Sequence, residues 1–138
     1  MKKREPVKHI MTQHVLSVKE EDSLQDVLAL FRKHKFRHLP VTKGNEVSGI
    51  ISSTDINRLS FGALFDNQEG ADAAILDMLS IPQVMSSKPE VVAAETPIRE
   101  VAEIFATKGF HALPVVEGKE LKGIVTTTDV IRYMLDQY

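Results

Sequence analysis

The sequence predicts an α+β protein made of two copies of one β-α-β-β-α unit. Three observations carry that expectation. The first is a gap-free internal duplication at an offset of 74 residues. Leu39-Pro40-Val41 returns as Leu113-Pro114-Val115, Gly49-Ile50 as Gly123-Ile124, Thr54-Asp55 as Thr128-Asp129 and Arg58 as Arg132. The same offset carries Met11 to Met85, Val18 to Val92, Val27 to Val101, Phe31 to Phe105 and Phe36 to Phe110. The second is one stretch of helical spacing per copy. The third is a pair of short apolar runs after it, joined by a polar tetrapeptide that contains glycine. Two similar units in one chain usually pack about a pseudo-two-fold axis, and such an axis creates clefts in twos.

Each copy opens with a short apolar turn ending in methionine, Val7–Met11 and Ile81–Met85. Val15–Val18 and Val91–Val92 are apolar runs of strand type. Ser23 to Lys35 places Leu24, Val27, Leu28 and Phe31 at helical spacing, with Asp22 or Ser23 as N-cap. Its counterpart, Pro97 to Lys108, lines up Ile98, Val101, Ala102 and Phe105, with Pro97 at the first helical position. Two strands follow, His38–Thr42 and Val47–Ser52, turning through Lys43-Gly44-Asn45-Glu46. The second copy uses Ala112–Val116 and Leu121–Thr126, turning through Glu117-Gly118-Lys119-Glu120. A second helix then runs over Asp55–Phe65 and Asp129–Tyr138. Between the copies, Asp66–Gly70 reads as an exposed loop and Ala71–Leu79 as a short helix. The expected boundaries are 1–65 for the first unit, 66–80 for the linker and 81–138 for the second unit.

Composition narrows the function. The chain has 138 residues, so each half is marginal alone, and the halves are expected to bury their apolar faces against each other. The net charge of −2 gives no field that would recruit nucleic acid or an anionic membrane. No cysteine is present, which excludes disulfides, thiolate zinc sites and cysteine nucleophiles, and fits a reducing compartment. The basic start, Met1 to Pro6, is followed by no apolar run, and no stretch approaches membrane-spanning length, so a cytoplasmic protein is expected. His34 and His38 straddle a helix end with no third ligand adjacent, so no metal site is expected. No strained nucleophile elbow and no phosphate-binding glycine loop occurs, so no catalytic residues are assigned and no enzyme is expected.

The sharpest local feature is Gly49-Ile50-Ile51-Ser52-Ser53-Thr54-Asp55, repeated as Gly123-Ile124-Val125-Thr126-Thr127-Thr128-Asp129. An apolar strand ends in hydroxyls and enters a helix that carries a carboxylate in its first turn. Two compatible readings stand. One is a capping box, Ser-x-x-Asp or Thr-x-x-Asp. The other is a polyol and phosphate site, in which first-turn amides and the hydroxyls of Ser52, Thr54, Thr126 and Thr128 donate to phosphate, and the carboxylate accepts from vicinal ribose hydroxyls. Before each Leu-Pro-Val stands a polar segment, Phe36-Arg37-His38 or Phe110-His111-Ala112. It is either a solvated cationic helix end or a phosphate partner.

The duplication, the element order, the Leu-Pro-Val strands and the paired motifs together resemble a tandem cystathionine-β-synthase (CBS) domain pair, or Bateman module, over roughly Pro6 to Tyr138. The resemblance implies two CBS repeats packed sheet to sheet, with two clefts that hold adenosine-containing ligands such as AMP, ADP, ATP or S-adenosylmethionine. It implies ribose binding by Asp55 and Asp129, with Ser52, Thr54, Thr126 and Thr128 nearby. It places Arg37 and His111 toward phosphate, with His38 and Ala112 adjacent. The base is implied to lie against Leu16, Val18 and Ile51 in one copy, and Val92 and Val125 in the other. Two departures stand out. Arg37-His38 and His111-Ala112 make the clefts inequivalent, and Pro89 and Glu90 occupy the places of Val15 and Leu16 at the second base pocket.

The expected function is a stand-alone regulatory module that senses an adenine nucleotide, needs no cofactor and acts on an effector protein or through assembly. The alternative is a structural dimerisation or docking module with unoccupied clefts. A homodimer is expected through the second helices, from Ile56, Leu59, Val130, Tyr133 and Met134. Two complete hydroxyl–carboxylate motifs favour the sensing reading.

Overall fold

Helix α1 (Leu24–Lys33) begins where its capping chemistry dictates. The Ser23 hydroxyl accepts the Asp26 N–H at 3.1 Å, and Asp26 Oδ2 accepts the Ser23 N–H at 3.3 Å, so Ser23 rather than Asp22 is the cap. The computed structural model describes residues 4–13, 15–59 and 76–138, with only the backbone at Leu59. The expected loop at 66–70, most of the 71–79 helix and the far end of the first copy's second helix lie outside the described residues. Leu76–Met78, at the end of the expected linker helix, is helical.

The remaining elements follow the expected order. Strands β3 (His38–Lys43) and β4 (Glu46–Ser52) turn at Gly44, whose φ of +63° suits glycine. Strands β7 (Ala112–Glu117) and β8 (Glu120–Thr126) turn at Gly118, at +65°. Helices α2 (Ser53–Leu59) and α5 (Thr127–Asp136) follow β4 and β8. Helix α4 (Ile98–Lys108) takes Pro97 as its N-cap rather than its first residue, because Pro97 is extended and its carbonyl accepts the Glu100 and Val101 amides. The first strand of each copy lies later in the chain than expected, β2 at Val18–Lys19 and β6 at Val92–Ala93, and each is only two residues long. This shortness explains the prolines in β3 and β7. β2 pairs in parallel only with Val41 and Thr42, and β6 only with Val115 and Val116. Pro40 and Pro114 therefore sit where one flank of the strand has no ladder to supply.

The chain divides into two compact units, and these exchange the opening turns of the repeats. One unit comprises Leu16–Gly44 and, in its described part, Ser48–Lys88; the other comprises Pro89–Tyr138, the opening segment up to Val15, and Asn45–Val47. In the first unit, β5 (Ser86–Ser87) runs antiparallel to β4, with Gly49 opposite Ser87. In the second, β1 (Thr12–Gln13) runs antiparallel to β8, with Gln13 opposite Gly123. The 3₁₀ turn Val7–His9 is fixed by the Val7 N–H to Thr96 O at 2.7 Å and the Ile98 N–H to Glu5 O at 2.8 Å. Helix α3 (Ile81–Val84) opens the second repeat and packs into the first repeat's core through Ile81.

Buried apolar side chains form two clusters, one per unit. Ile81 completes the core of Leu24, Val27, Phe31, Leu39 and Ile51, and Val7 completes the core of Val92, Val101, Leu113, Val115 and Val125. A repeat that is marginal alone is thus enlarged by residues from the other repeat. Met11 and Met85 pack as core filler on strand glycines, Met11 on Gly123 and Met85 on Gly49. A Cβ on Gly123 would lie 2.6 Å from the Thr12 carbonyl oxygen and 2.7 Å from Met11 Sδ. The carbonyl can retreat only by disrupting the β1–β8 pairing. Gly123→Ala is therefore expected to cost about 1–3 kcal/mol, or a melting point lower by roughly 3–12 °C in calorimetry. An unchanged melting point would contradict this packing.

The exposed face of the second helix also differs from expectation. Ile56 and Val130 are buried in their own unit's core, Tyr133 is buried as well, and Leu59 lies outside the described side chains. On α5 the exposed apolar residues are Ile131, Met134 and Leu135, continued by Tyr138. This spacing makes one stripe along the helix.

Candidate functional site

Each motif closes on itself where its strand becomes a helix. At the end of β4 the Ser52 hydroxyl accepts the Asp55 N–H at 3.1 Å, and Asp55 Oδ2 accepts the Ser52 N–H at 2.8 Å. At the end of β8 the Thr126 hydroxyl accepts the Asp129 N–H at 3.2 Å, and Asp129 Oδ2 accepts the Thr126 N–H at 2.9 Å. Both are complete capping boxes, so the backbone itself fixes each carboxylate. Only one oxygen of each is used this way. Asp129 Oδ1 accepts no hydrogen bond from the described residues. Asp55 Oδ1 has, among the described residues, only the solvent-exposed Arg58 guanidinium, at 3.9 Å. Each carboxylate thus keeps an oxygen with two lone pairs for a further donor.

The residue before each Leu-Pro-Val strand is tied to the same corner. The Ser53 N–H donates to the Arg37 carbonyl at 2.9 Å, and the Thr127 N–H donates to the His111 carbonyl at 3.1 Å. The exposed side chains of Arg37 and His111 therefore belong to the helix starts that carry Asp55 and Asp129. These bonds also narrow the expected set of anion-binding amides. The first and third helical amides are already engaged in each copy, which leaves the second, that of Thr54 or Thr128. Both threonine side chains are exposed. His38 is half-buried at the start of β3, and Ala112 is buried.

The apolar residues divide differently. Val18 and Ile51 lie inside one core, and Val92 and Val125 inside the other. Alternation along the strands points them inward, so they form a floor rather than an open face. Leu16 is 44% exposed. Glu90 stands in its place in the second copy and pairs with Lys108 at 2.6 Å. The exposed apolar residue there is Val91, at 39%. The fixed offset pointed to Glu90 and missed Val91; the signal was a valine directly beside it.

The arrangement in each unit is a fixed carboxylate with one free acceptor oxygen, an exposed threonine, one free helix-start amide and a basic or imidazole side chain. The model of the CBS domain family matches residues 7–62 and again residues 81–136. The chain belongs to the CBS domain family. It is a tandem CBS pair of α+β fold, and its structural neighbours are CBS pairs. Protein MJ1225 of Methanocaldococcus jannaschii is 31% identical over 133 residues, 94% of this chain and 47% of that protein. Its crystal structure matches with a TM-score of 0.81 at 28% identity, covering 97% of this chain and 49% of that one. The crystal structure of CBSX2 in complex with AMP matches at 0.79 and 27% identity, covering 96% of this chain and 97% of that one. The CBS pair of protein MJ0100, solved with 5-methylthioadenosine and S-adenosyl-L-methionine, shares the fold at 0.76 and 23% identity, covering 97% and 98%. This CBS pair spans less than half the length of the curated relatives it matches. No helix among the described residues is long and apolar enough to cross a membrane.

Proposed function

We propose that this CBS pair is a regulatory module that binds an adenosine-containing ligand at Ser52–Asp55 and at Thr126–Asp129. One observation carries the reading: each motif aspartate is locked by its cap through Oδ2 and keeps Oδ1 for a ligand. In the first repeat (residues 1–65) the ribose hydroxyls donate to Asp55, phosphate meets Arg37, His38, Ser52 and Thr54, and the base lies against Leu16 over Val18 and Ile51. In the second (residues 81–138) Asp129 takes the ribose, His111, Thr126 and Thr128 take the 5′ substituent, and the base lies over Val92 and Val125. The AMP seen in CBSX2 supports an adenosine ligand.

Thermal shift of the purified protein with adenosine, AMP, ATP and S-adenosylmethionine tests the reading. At a hundredfold excess over its dissociation constant, a ligand is expected to add about 2.7 kcal/mol, a rise of roughly 5–10 °C. No shift with any of the four would overturn it. The docking-module reading retains one specific support, since both carboxylates serve as caps without any ligand.

Self-association is part of the proposal, through the Ile131–Met134–Leu135–Tyr138 stripe. Light scattering is expected to give twice the 15.4 kDa chain mass at protein concentrations on the order of tens of micromolar. A monomer mass would remove this part.

A further inference from the structure

The two helix corners differ sharply in charge. On the segment leading into β3, Lys33, Lys35 and Arg37 are exposed, and none of them makes an ion pair among the described residues. The same positions of the second repeat hold Thr107, Gly109 and His111. Thr107 spends its hydroxyl on the Glu103 carbonyl at 2.7 Å, and Gly109 ends α4 at a φ of +73°. The one full cation of that second segment, Lys108, is neutralised by Glu90 at 2.6 Å. The first segment is also held more firmly. Phe36 packs against the core, edge-on to Phe31 with centroids 5.9 Å apart, and His34 stacks on it at 5.2 Å. Its counterpart Phe110 is 40% exposed. The pinned aromatic lies between Lys35 and Arg37, and the Arg37 carbonyl accepts the Ser53 N–H at 2.9 Å, so the backbone that carries these cations is tied to the helix start of Asp55.

Resting on the adenosine reading above, we infer that the two sites take different ligand classes. The Asp55 site selects adenosine 5′-polyphosphates through Lys33, Lys35 and Arg37. The Asp129 site takes adenosines with little or no phosphate charge. Three cations without an ion pair among the described residues suit the three to four negative charges of a di- or triphosphate, and exposed charge pairs of this kind weaken with salt. In the segment leading into β7 the Lys108–Glu90 pair cancels, so that segment offers a polyphosphate no lysine or arginine charge, and the helix arginines Arg58 and Arg132 are common to both corners.

Isothermal titration with ATP, AMP, adenosine and 5′-methylthioadenosine tests this, using Asp55→Asn to silence one site and Asp129→Asn to silence the other. In the Asp129→Asn protein, ATP is expected to bind at least about tenfold tighter than adenosine, the scale of one charge-assisted contact. In the Asp55→Asn protein that preference is expected to vanish or reverse. Adding Lys33→Ala, Lys35→Ala and Arg37→Ala to Asp129→Asn should remove the preference for ATP over adenosine. Unequal retention of fold is checked by unliganded melting. Equal ATP preference at both sites, or a preference that survives the triple alanine change, overturns the inference alone. Absence of binding by all four compounds to the wild-type protein overturns the adenosine reading and this inference with it.

Discussion

Ile81→Ala is expected to lower stability by about 2–5 kcal/mol, the range for deleting a fully buried branched side chain, and to lower the melting point by roughly 6–20 °C. Ile81 is completely buried, and its neighbours are the α1, β3 and β4 side chains of the first repeat, although its place in the sequence is the start of the second. The cavity should therefore open in the first repeat. Hydrogen exchange is expected to show faster exchange over Leu24–Lys33 and His38–Lys43, with Ile98–Lys108 and Ala112–Glu117 little changed. Val7→Ala gives the converse pattern, with loss over α4 and β7, because Val7 sits among Val92, Val101 and Leu113. Exchange that accelerated within the mutated residue's own repeat would contradict the exchanged opening turns.

Much of the architecture is legible in the sequence because local rules decide it. The helix caps follow from Ser23 and Asp26, and from Thr126 and Asp129, at the right spacing. The hairpins follow from Gly44 and Gly118. The exchange is not legible. Val7–Met11 and Ile81–Met85 are nearly interchangeable apolar turns, and each could satisfy either core by composition. Chain path, not side-chain chemistry, assigns Val7 to the second repeat's core. The exposed face of α5 is misread for a related reason. Val130, Ile131, Tyr133, Met134 and Leu135 spread apolar character around most of the helix, so periodicity alone does not say which side meets the core. At the site, the polar half was legible, since Ser52, Asp55, Thr126 and Asp129 are where the motif puts them. The apolar half was less so. A strand alternates its faces, and a run such as Gly49-Ile50-Ile51 does not reveal which isoleucine is inside; Ile51 is wholly buried and Ile50 half-buried.

Asp55→Asn and Asp129→Asn separate capping from ligand recognition. The asparagine carbonyl can replace Oδ2 as acceptor of the Ser52 or Thr126 amide. Its NH₂ group then occupies the place of Oδ1, where a ribose hydroxyl would need an acceptor. Stability should change by only a few tenths of a kcal/mol to about 1 kcal/mol, from the lost negative charge at the helix start. Ser52→Ala and Thr126→Ala invert the pattern, costing about 1 kcal/mol of stability through the missing cap. Removal of a hydrogen bond to a charged acceptor is expected to cost about 1.5–3 kcal/mol of binding. The decisive measurement is isothermal titration of AMP into the wild-type protein, the two Asn variants and the double variant, with unliganded melting recorded for each. The expected result is an AMP affinity about 10- to 150-fold weaker at the substituted site, that same weakening at both sites in the double variant, and melting points close to wild type. Wild-type AMP affinity in the double variant would contradict ribose recognition by these carboxylates and leave them as helix caps alone.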